Sequence, residues 1–295
     1  MLLPAFEYYR PQSLAEAITL LGEMGEAARP LAGGTDLLVN LKLKKLAPKA
    51  LLDLSGLAEL QGLAQENGKV SLGALNTASR LAVGSPQVPR VLSMGAGALG
   101  SPQVRNRATL GGNLVTARPA ADICLPLLAL GAQAVLAGPG GTREVPLDGY
   151  FKGPGYTVKE PGEILTKVLL EAPRPGVGGG YQKLGLRQAM EIALVNVAAV
   201  VMLEDDGSTI KEARVALGAV APTPLLSPGA AQALAGQSAD EAAIEAAAEA
   251  AAADAKPIDD HRGSAAYRRD MVRTLTKRAL KQALAQAQGN EEAQA

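Results

Sequence analysis

Two glycine pairs constrain this chain more than any other feature. Leu31-Ala-Gly-Gly-Thr-Asp-Leu-Leu38 and Ala108-Thr-Leu-Gly-Gly-Asn113 each set two residues without side chains among apolar neighbours, with a hydroxyl, an acid or an amide alongside. A buried strand would carry bulky side chains at such positions. The first pair leads from a short strand, 29–31, into a helical stretch that opens at Asp36. The N–H groups in between have no helical partner, and glycine lets an anion approach them closely. The second pair adds Thr109 and Asn113 to the same kind of backbone. Either pair alone reads equally well as a tight turn. Carrying the same decoration, the two together fit a clamp that holds a diphosphate from both sides. No Lys-Ser/Thr follows the glycines, so this is not a P-loop, and a nucleotide here would be held rather than hydrolysed.

A third glycine-rich stretch is a decoy. Gly95-Ala-Gly-Ala-Leu-Gly100 fits G-x-G-x-x-G, and Asp122 follows at a spacing that suits a dinucleotide fingerprint. That fingerprint needs a strand feeding the glycines and a helix leaving them. Here Pro89 breaks the strand and the glycines end a helix-like run, so close helix–helix packing followed by a turn is the expectation.

The totals exclude several classes. Lys plus Arg and Asp plus Glu both number 29, so no global field draws in nucleic acid or an anionic membrane. The single cysteine, Cys124, cannot supply a disulfide, a cysteine zinc site or an Fe–S cluster from this chain alone. It reads as a small buried hydrophobe. The only histidine, His261, stands in a charged loop and is a poor candidate for metal binding or acid–base work. No segment offers the roughly 18 apolar residues of a membrane span, and no secretory signal opens the sequence. A cytoplasmic location is expected, without metal or a side-chain catalyst.

Periodicity gives a small β-α-β-α-β unit first: strand 6–9, a helix opened by the capping box Ser13-x-x-Glu16, strand 29–31, helix 37–43 and strand 51–54. A hairpin around Glu66-Asn67-Gly68 follows, then helices after Thr77, over 89–99 and after Asp122. Strands 132–136 and 164–170 flank a loop at Gly138-Pro-Gly-Gly141. The stretch 173–180 reads as a linker. Beyond it come strands 181–184, 195–203 and 209–218, the last two joined by Asp205-Asp206-Gly207, and helices 240–254 and 265–288. The expected fold class is α+β, with units at 1–57, 58–175 and 176–295.

These motifs together resemble the FAD-binding medium subunits of molybdenum hydroxylases, the group of aerobic carbon monoxide dehydrogenase and xanthine dehydrogenase. The resemblance runs from Phe6-Glu-Tyr-Tyr-Arg-Pro11 to the C-terminal helix. It implies a PCMH-type FAD-binding domain of two α/β subdomains and a C-terminal domain of a small antiparallel sheet plus helices that covers the flavin ring. It implies FAD as cofactor, its diphosphate wrapped by Leu31, Ala32, Gly33, Gly34, Thr35, Asp36, Leu37 and Leu38. Thr109 and Asn113 would bond the diphosphate from the other side, where Gly111 and Gly112 leave room. Asp122 would accept from a sugar or ribityl hydroxyl, Leu165 would lie against the cofactor, Lys183 would sit at the flavin's pyrimidine edge, and Ile192 would cover its face. Carbon monoxide dehydrogenases of this family present Tyr at that last position, and Ile is the xanthine dehydrogenase-like choice. Glu191 stands where the family usually has Asp. The four-cysteine insertion of the benzoyl-CoA reductase branch is absent.

The partners implied are a molybdopterin-binding large subunit and an Fe–S small subunit in a dimer of heterotrimers, with NAD or a quinone as electron acceptor. Two alternatives remain at this point: a stand-alone FAD-dependent reductase or oxidase on the same fold, and a nucleotide-binding assembly protein without a redox role.

Overall fold

The structure is a computed structural model that describes residues 3–290. The first unit runs β1 (Glu7–Tyr9), α1 (Leu14–Met24), β2 (Ala28–Leu31), α2 (Leu37–Lys42) and β3 (Ala50–Asp53). Its strands form a parallel sheet in the order β1-β3-β2. The central strand β3 is buried along its whole length, which explains its unbroken apolar start, Ala-Leu-Leu. Ser13 Oγ accepts from the Glu16 N–H, and the Glu16 carboxylate reaches back to the Gln12 N–H at 2.6 Å, one residue earlier than the usual reciprocal cap. Gly25 ends α1 in the left-handed half of backbone space, and Ala17 and Leu21 pack on Leu52, Leu57 and Leu60.

The middle unit runs β4 (Leu63–Glu66), β5 (Lys69–Gly73), α3 (Ala78–Val83), α4 (Arg90–Ala98), α5 (Pro102–Arg105), α6 (Leu110–Thr116), α7 (Cys124–Ala129), β6 (Gln133–Gly138), β7 (Gly141–Pro146), β8 (Phe151–Gly153), β9 (Tyr156–Thr157) and β10 (Ile164–Glu171). Its main sheet is antiparallel in the order β4-β5-β10-β6-β7. Two expectations change here. The stretch 138–141 is the turn of a hairpin rather than a loop, because β7 follows it as an exposed edge strand with no apolar run to announce it. The second glycine pair is not a turn: Gly111 and Gly112 lie in the first turn of α6, with Thr109 as its N-cap. The decoy reading holds. In α4, a Cβ added at Gly95 would stand 2.5 Å from the Asp122 carbonyl oxygen and 2.6 Å from Pro126 Cγ, so that glycine lets the chain entering α7 pack against α4.

The third unit runs β11 (Val177–Leu184), β12 (Val195–Leu203), β13 (Ile210–Gly218), β14 (Leu225–Leu226), α8 (Pro228–Leu234), α9 (Glu241–Asp254) and α10 (Ala265–Ala287). The antiparallel sheet takes chain order, β11-β12-β13-β14. The expected linker shrinks to residues 173–176, because β11 begins at Val177 and contains Gly178, Gly179 and Gly180. Those glycines are packing residues: a Cβ at Gly178 or Gly180 would strike α10 at Gln286 or Gln282, 3.0 Å away in each case. Helix α9 buries an alanine face and lies antiparallel to α10, with exposed ion pairs Glu241–Lys281, Glu245–Lys277 and Glu249–Arg273 marking the register. Such surface pairs add little stability individually.

Candidate functional site

A cleft of about 1080 Å³ opens where the three units meet. That is the upper end of the usual range for small-molecule sites. Of the residues singled out in the sequence, Ala32, Gly33, Gly34, Thr35, Asp36, Leu37, Thr109, Gly111, Gly112, Asn113, Asp122, Leu165 and Ile192 all line it. Leu31, Leu38 and Lys183 do not. The two leucines sit behind the loop instead: at Gly34, where φ is 75°, a Cβ would come within 3.1 Å of Leu31 Cδ1 and 3.2 Å of Leu38 Cδ1.

The loop from β2 to α2 has the bare backbone that its sequence promised. Among the described residues, no N–H from Ala32 to Asp36 donates within the chain, while the Gly34 and Asp36 carbonyls accept from Leu38 and Asn40 at 3.0 Å. Asp36 stands at the N-cap position of α2 but does not cap it with its side chain. Burial pushes its carboxyl up from the ordinary value, against the pull of the Arg118 guanidinium. Gly33 serves a different end. A Cβ there would lie 2.7 Å from the Arg107 carbonyl carbon and 3.2 Å from Ala108 Cα, with the Arg107 oxygen nearer still. The first motif is thus pressed against the start of the second.

The second motif is not bare. The Leu110 N–H donates to Asn76 O at 2.9 Å, Gly111 to Ala74 O at 2.8 Å and Asn113 to Thr109 O at 2.9 Å. Gly112 donates to Thr109 Oγ1 at 3.1 Å. What this motif can offer a ligand is side-chain chemistry: the Thr109 hydroxyl proton and the Asn113 amide, whose Oδ1 accepts from Cys124 Sγ at 3.5 Å and leaves the NH₂ end without a partner among the described residues. Gly111 lets α6 sit close on Ala74 and Leu165, whose nearest atoms would lie 2.8 and 3.3 Å from an added Cβ.

Asp122 is buried and mostly engaged by the protein. Its Oδ1 accepts from the Tyr181 hydroxyl at 2.6 Å and, at 3.5 Å, from the Asn196 amide. Its Oδ2 accepts from Lys183 Nζ at 2.8 Å, and Lys183 also donates to Ala98 O at 3.0 Å. Burial pushes the Asp122 carboxyl up, opposed by the Lys183 ammonium and these donors. One lone pair of Oδ2 stays open to a ligand hydroxyl. Tyr181 and Lys183, two apart on β11, point to one side, so this network ties the third unit to the middle one. Tyr181 and Asn196 had no signal in the sequence, being an aromatic and an amide in apolar strands.

Glu191 pairs with Arg187 at 2.7 Å, and the Met190 N–H reaches Gly100 O at 3.2 Å, fixing the loop that carries Ile192. Ile192 is 57 % exposed on the cleft wall. On the far side, Arg268 is buried and donates to Leu194 O, Ala219 O and Asp260. No helix among the described residues is long and apolar enough to cross a membrane.

The bare loop, the glycines and a cleft of this volume, shared by all three units, fit a dinucleotide such as FAD. Comparison with known proteins agrees. The family described as FAD binding domain in molybdopterin dehydrogenase matches residues 4–173, and CO dehydrogenase flavoprotein C-terminal domain matches 181–283. The carbon monoxide dehydrogenase medium chain of Hydrogenophaga pseudoflava is 38% identical over 288 residues, covering 97% of this chain and 99% of the relative. The xanthine dehydrogenase FAD-binding subunit of Escherichia coli O157:H7 is 33% identical over 287 residues, 96% of this chain and 97% of that protein. The solved structure of carbon monoxide dehydrogenase from Hydrogenophaga pseudoflava lacking the Mo-pyranopterin moiety superposes with a TM-score of 0.92 at 38% identity, covering 97% of this chain and 99% of that one. With two domains matched in order and relatives aligned end to end, the chain belongs to the FAD-binding subunits of the molybdenum hydroxylase family, as an oxidoreductase subunit whose cofactor is FAD.

Proposed function

We propose that this chain is the flavin relay of a molybdenum hydroxylase complex, taking electrons from the Fe–S clusters of a small subunit and passing them to NAD, a quinone or another acceptor. The observation that carries this reading is the continuous cleft that joins the bare Ala32–Asp36 loop to Ile192. In it, the loop N–H groups, the Thr109 hydroxyl and the Asn113 amide hold the diphosphate, Leu165 packs against the cofactor, and Ile192 covers the flavin face. Lys183 acts at one remove, by fixing Asp122, whose open lone pair takes a hydroxyl of the sugar or ribityl chain. Bound FAD supplies the redox chemistry, accepting and releasing electrons, and the protein supplies position and exclusion of water.

The single cysteine supports a division of labour, since a cluster has to come from another chain. The relatives are named as a medium chain and an FAD-binding subunit, that is, as parts of larger enzymes. We therefore assign a molybdopterin-binding large subunit and a small Fe–S subunit as partners, in a cytoplasmic dimer of heterotrimers, with units 1–57, 58–175 and 176–295 as the folding blocks. Substrate is then chosen at molybdenum, on the large subunit. Ile192 sets an aliphatic side chain against the flavin where carbon monoxide dehydrogenases place an aromatic one.

The test is co-purification from the native host together with a visible spectrum after reconstitution with FAD. A three-chain complex with flavin absorption is expected. Absence of flavin bands would sink the cofactor assignment, and a lone chain that turns over a substrate would favour a stand-alone flavoenzyme.

A further inference from the structure

The two motifs bring no positive charge to the diphosphate site. The Ala32–Asp36 loop contributes backbone dipoles, Thr109 and Asn113 are neutral, and the one ionisable side chain of the loop, Asp36, is an acid. Two linked phosphates carry about two negative charges, and placing them beside a carboxylate without a cation is costly where water is partly excluded. The cleft wall does hold cations. Arg268 and Arg262 are committed to Asp260, and Lys159 Nζ donates to the Glu160 carbonyl at 3.1 Å. Lys45 and Lys256 belong to other segments of the wall.

Arg118 differs from Arg268, Arg262 and Lys159 in being unengaged, and from Lys45 and Lys256, which are equally exposed and unpaired among the described residues, in acting on the loop's own carboxylate. It lies just past the C-terminal end of α6, after Ala117 has turned the chain through a left-handed conformation at φ 48°. Its side chain is exposed, lines the cleft and makes no hydrogen bond or ion pair within 4 Å among the described residues. Its charge nevertheless acts on the carboxylate of Asp36, the last residue of the bare loop. A guanidinium matches two phosphate oxygens at once, which an ammonium cannot do.

We propose that Arg118 is the cation of the diphosphate site, exposed on the cleft wall with its guanidinium unpaired until a ligand bearing phosphates takes it over. The proposal rests on the flavin reading of the cleft and adds a residue to it that neither glycine motif supplies.

The experiment is titration of the full chain with FAD, followed by flavin fluorescence, in wild type, Arg118→Ala and Arg118→Lys, at low and high salt, with riboflavin as a probe that lacks phosphate. Arg118→Ala should weaken FAD at least tenfold at low salt and flatten the salt dependence of FAD affinity. Arg118→Lys should fall between, and riboflavin should bind both proteins alike. A change in FAD affinity below twofold, or an equal loss of riboflavin, overturns the proposal. Because Arg118→Ala also leaves Asp36 uncompensated, the pair is repeated in an Asp36→Asn background. A persistent tenfold loss there supports contact with phosphate, and collapse of the loss to below twofold would mean that Arg118 only neutralises Asp36. Failure of the wild-type chain to bind FAD would strike the flavin reading itself, whereas normal wild-type binding with an indifferent Arg118→Ala strikes this proposal alone.

Discussion

Replacing Gly33 by alanine tests how the cleft is built. The added methyl would sit 2.7 Å from the Arg107 carbonyl carbon and 3.2 Å from Ala108 Cα, where ordinary contacts begin at 3.4 Å. The obstacle is backbone on both sides, so no side chain can rotate away. The β2–α2 loop and the Arg107–Ala108 segment would have to part by at least 0.7 Å, the difference between 3.4 and 2.7 Å, and further to clear the nearer Arg107 oxygen. Overpacking of this kind costs about 1–3 kcal/mol. At about 2–4 °C per kcal/mol for chains of 150–250 residues, a mid-range cost lowers the first thermal transition by about 5 °C. The same displacement moves the N–H groups of Ala32–Asp36 away from Thr109 and Asn113, so FAD affinity should fall at least tenfold. The control is Gly97→Ala in α4, where the nearest foreign atom, Ala82 Cβ, would be 3.9 Å away. Alanine inside a helix is favoured over glycine by about 0.5–1 kcal/mol, so this variant should be as stable as wild type or more so, with unchanged FAD binding. Calorimetry and flavin titration read both. A Gly33→Ala protein with wild-type melting and wild-type affinity would refute the argument that backbone contact at Gly33 sets the cleft.

Further consequences concern the polar networks. Tyr181→Phe leaves Asp122 Oδ1 with only the Asn196 amide at 3.5 Å and should cost about 1–3 kcal/mol in denaturant unfolding; a loss under about 0.5 kcal/mol would show that the network does not join the units. The Asp260 carboxyl is held down to about 2 by the Arg262 N–H and by the Arg268 guanidinium. An acid lowered in the folded state stabilises above its unfolded pKa of about 4 and loses that contribution as pH falls towards 2. The melting-temperature gap between wild type and Asp260→Asn should therefore narrow between pH 5 and 3, and a constant gap would contradict the assignment. Burial pushes the Cys124 thiol up, so the native protein should show no fast-reacting thiol towards a disulfide reagent and one after unfolding; rapid labelling of native protein would place Cys124 wrongly.

Local rules reached far along this chain because they act between neighbours. The Ser13 and Thr77 caps, the Asn67-Gly68 turn, the Asp205-Asp206-Gly207 turn and the long periodic helices were all legible. Where the linker and the 138–141 loop were misread, the sequence lacked the deciding term. Gly178 and Gly180 look like loop residues until α10 lies across them, and β7 is an edge strand with too few apolar residues to show a period. Thirteen of the sixteen residues singled out line the cleft, ten of them from the two glycine motifs.

The sequence by itself determined that a glycine loop with unpartnered N–H groups precedes α2 and that a single cysteine excludes a cluster on this chain. Only the tertiary structure decided what each glycine is for. Gly34 takes a turn that bulkier residues avoid, Gly33 admits the Arg107 backbone, and Gly111 admits Ala74. It also decided that the N–H groups of the second motif are spent inside the protein, that Asp122 is bound to Lys183 across two units, and that Arg118 and Asp36 line one cleft. The physical reason is the same throughout. A backbone conformation is set within a few residues, but which donors remain free and which charges meet depends on segments that approach only when all three cores have packed.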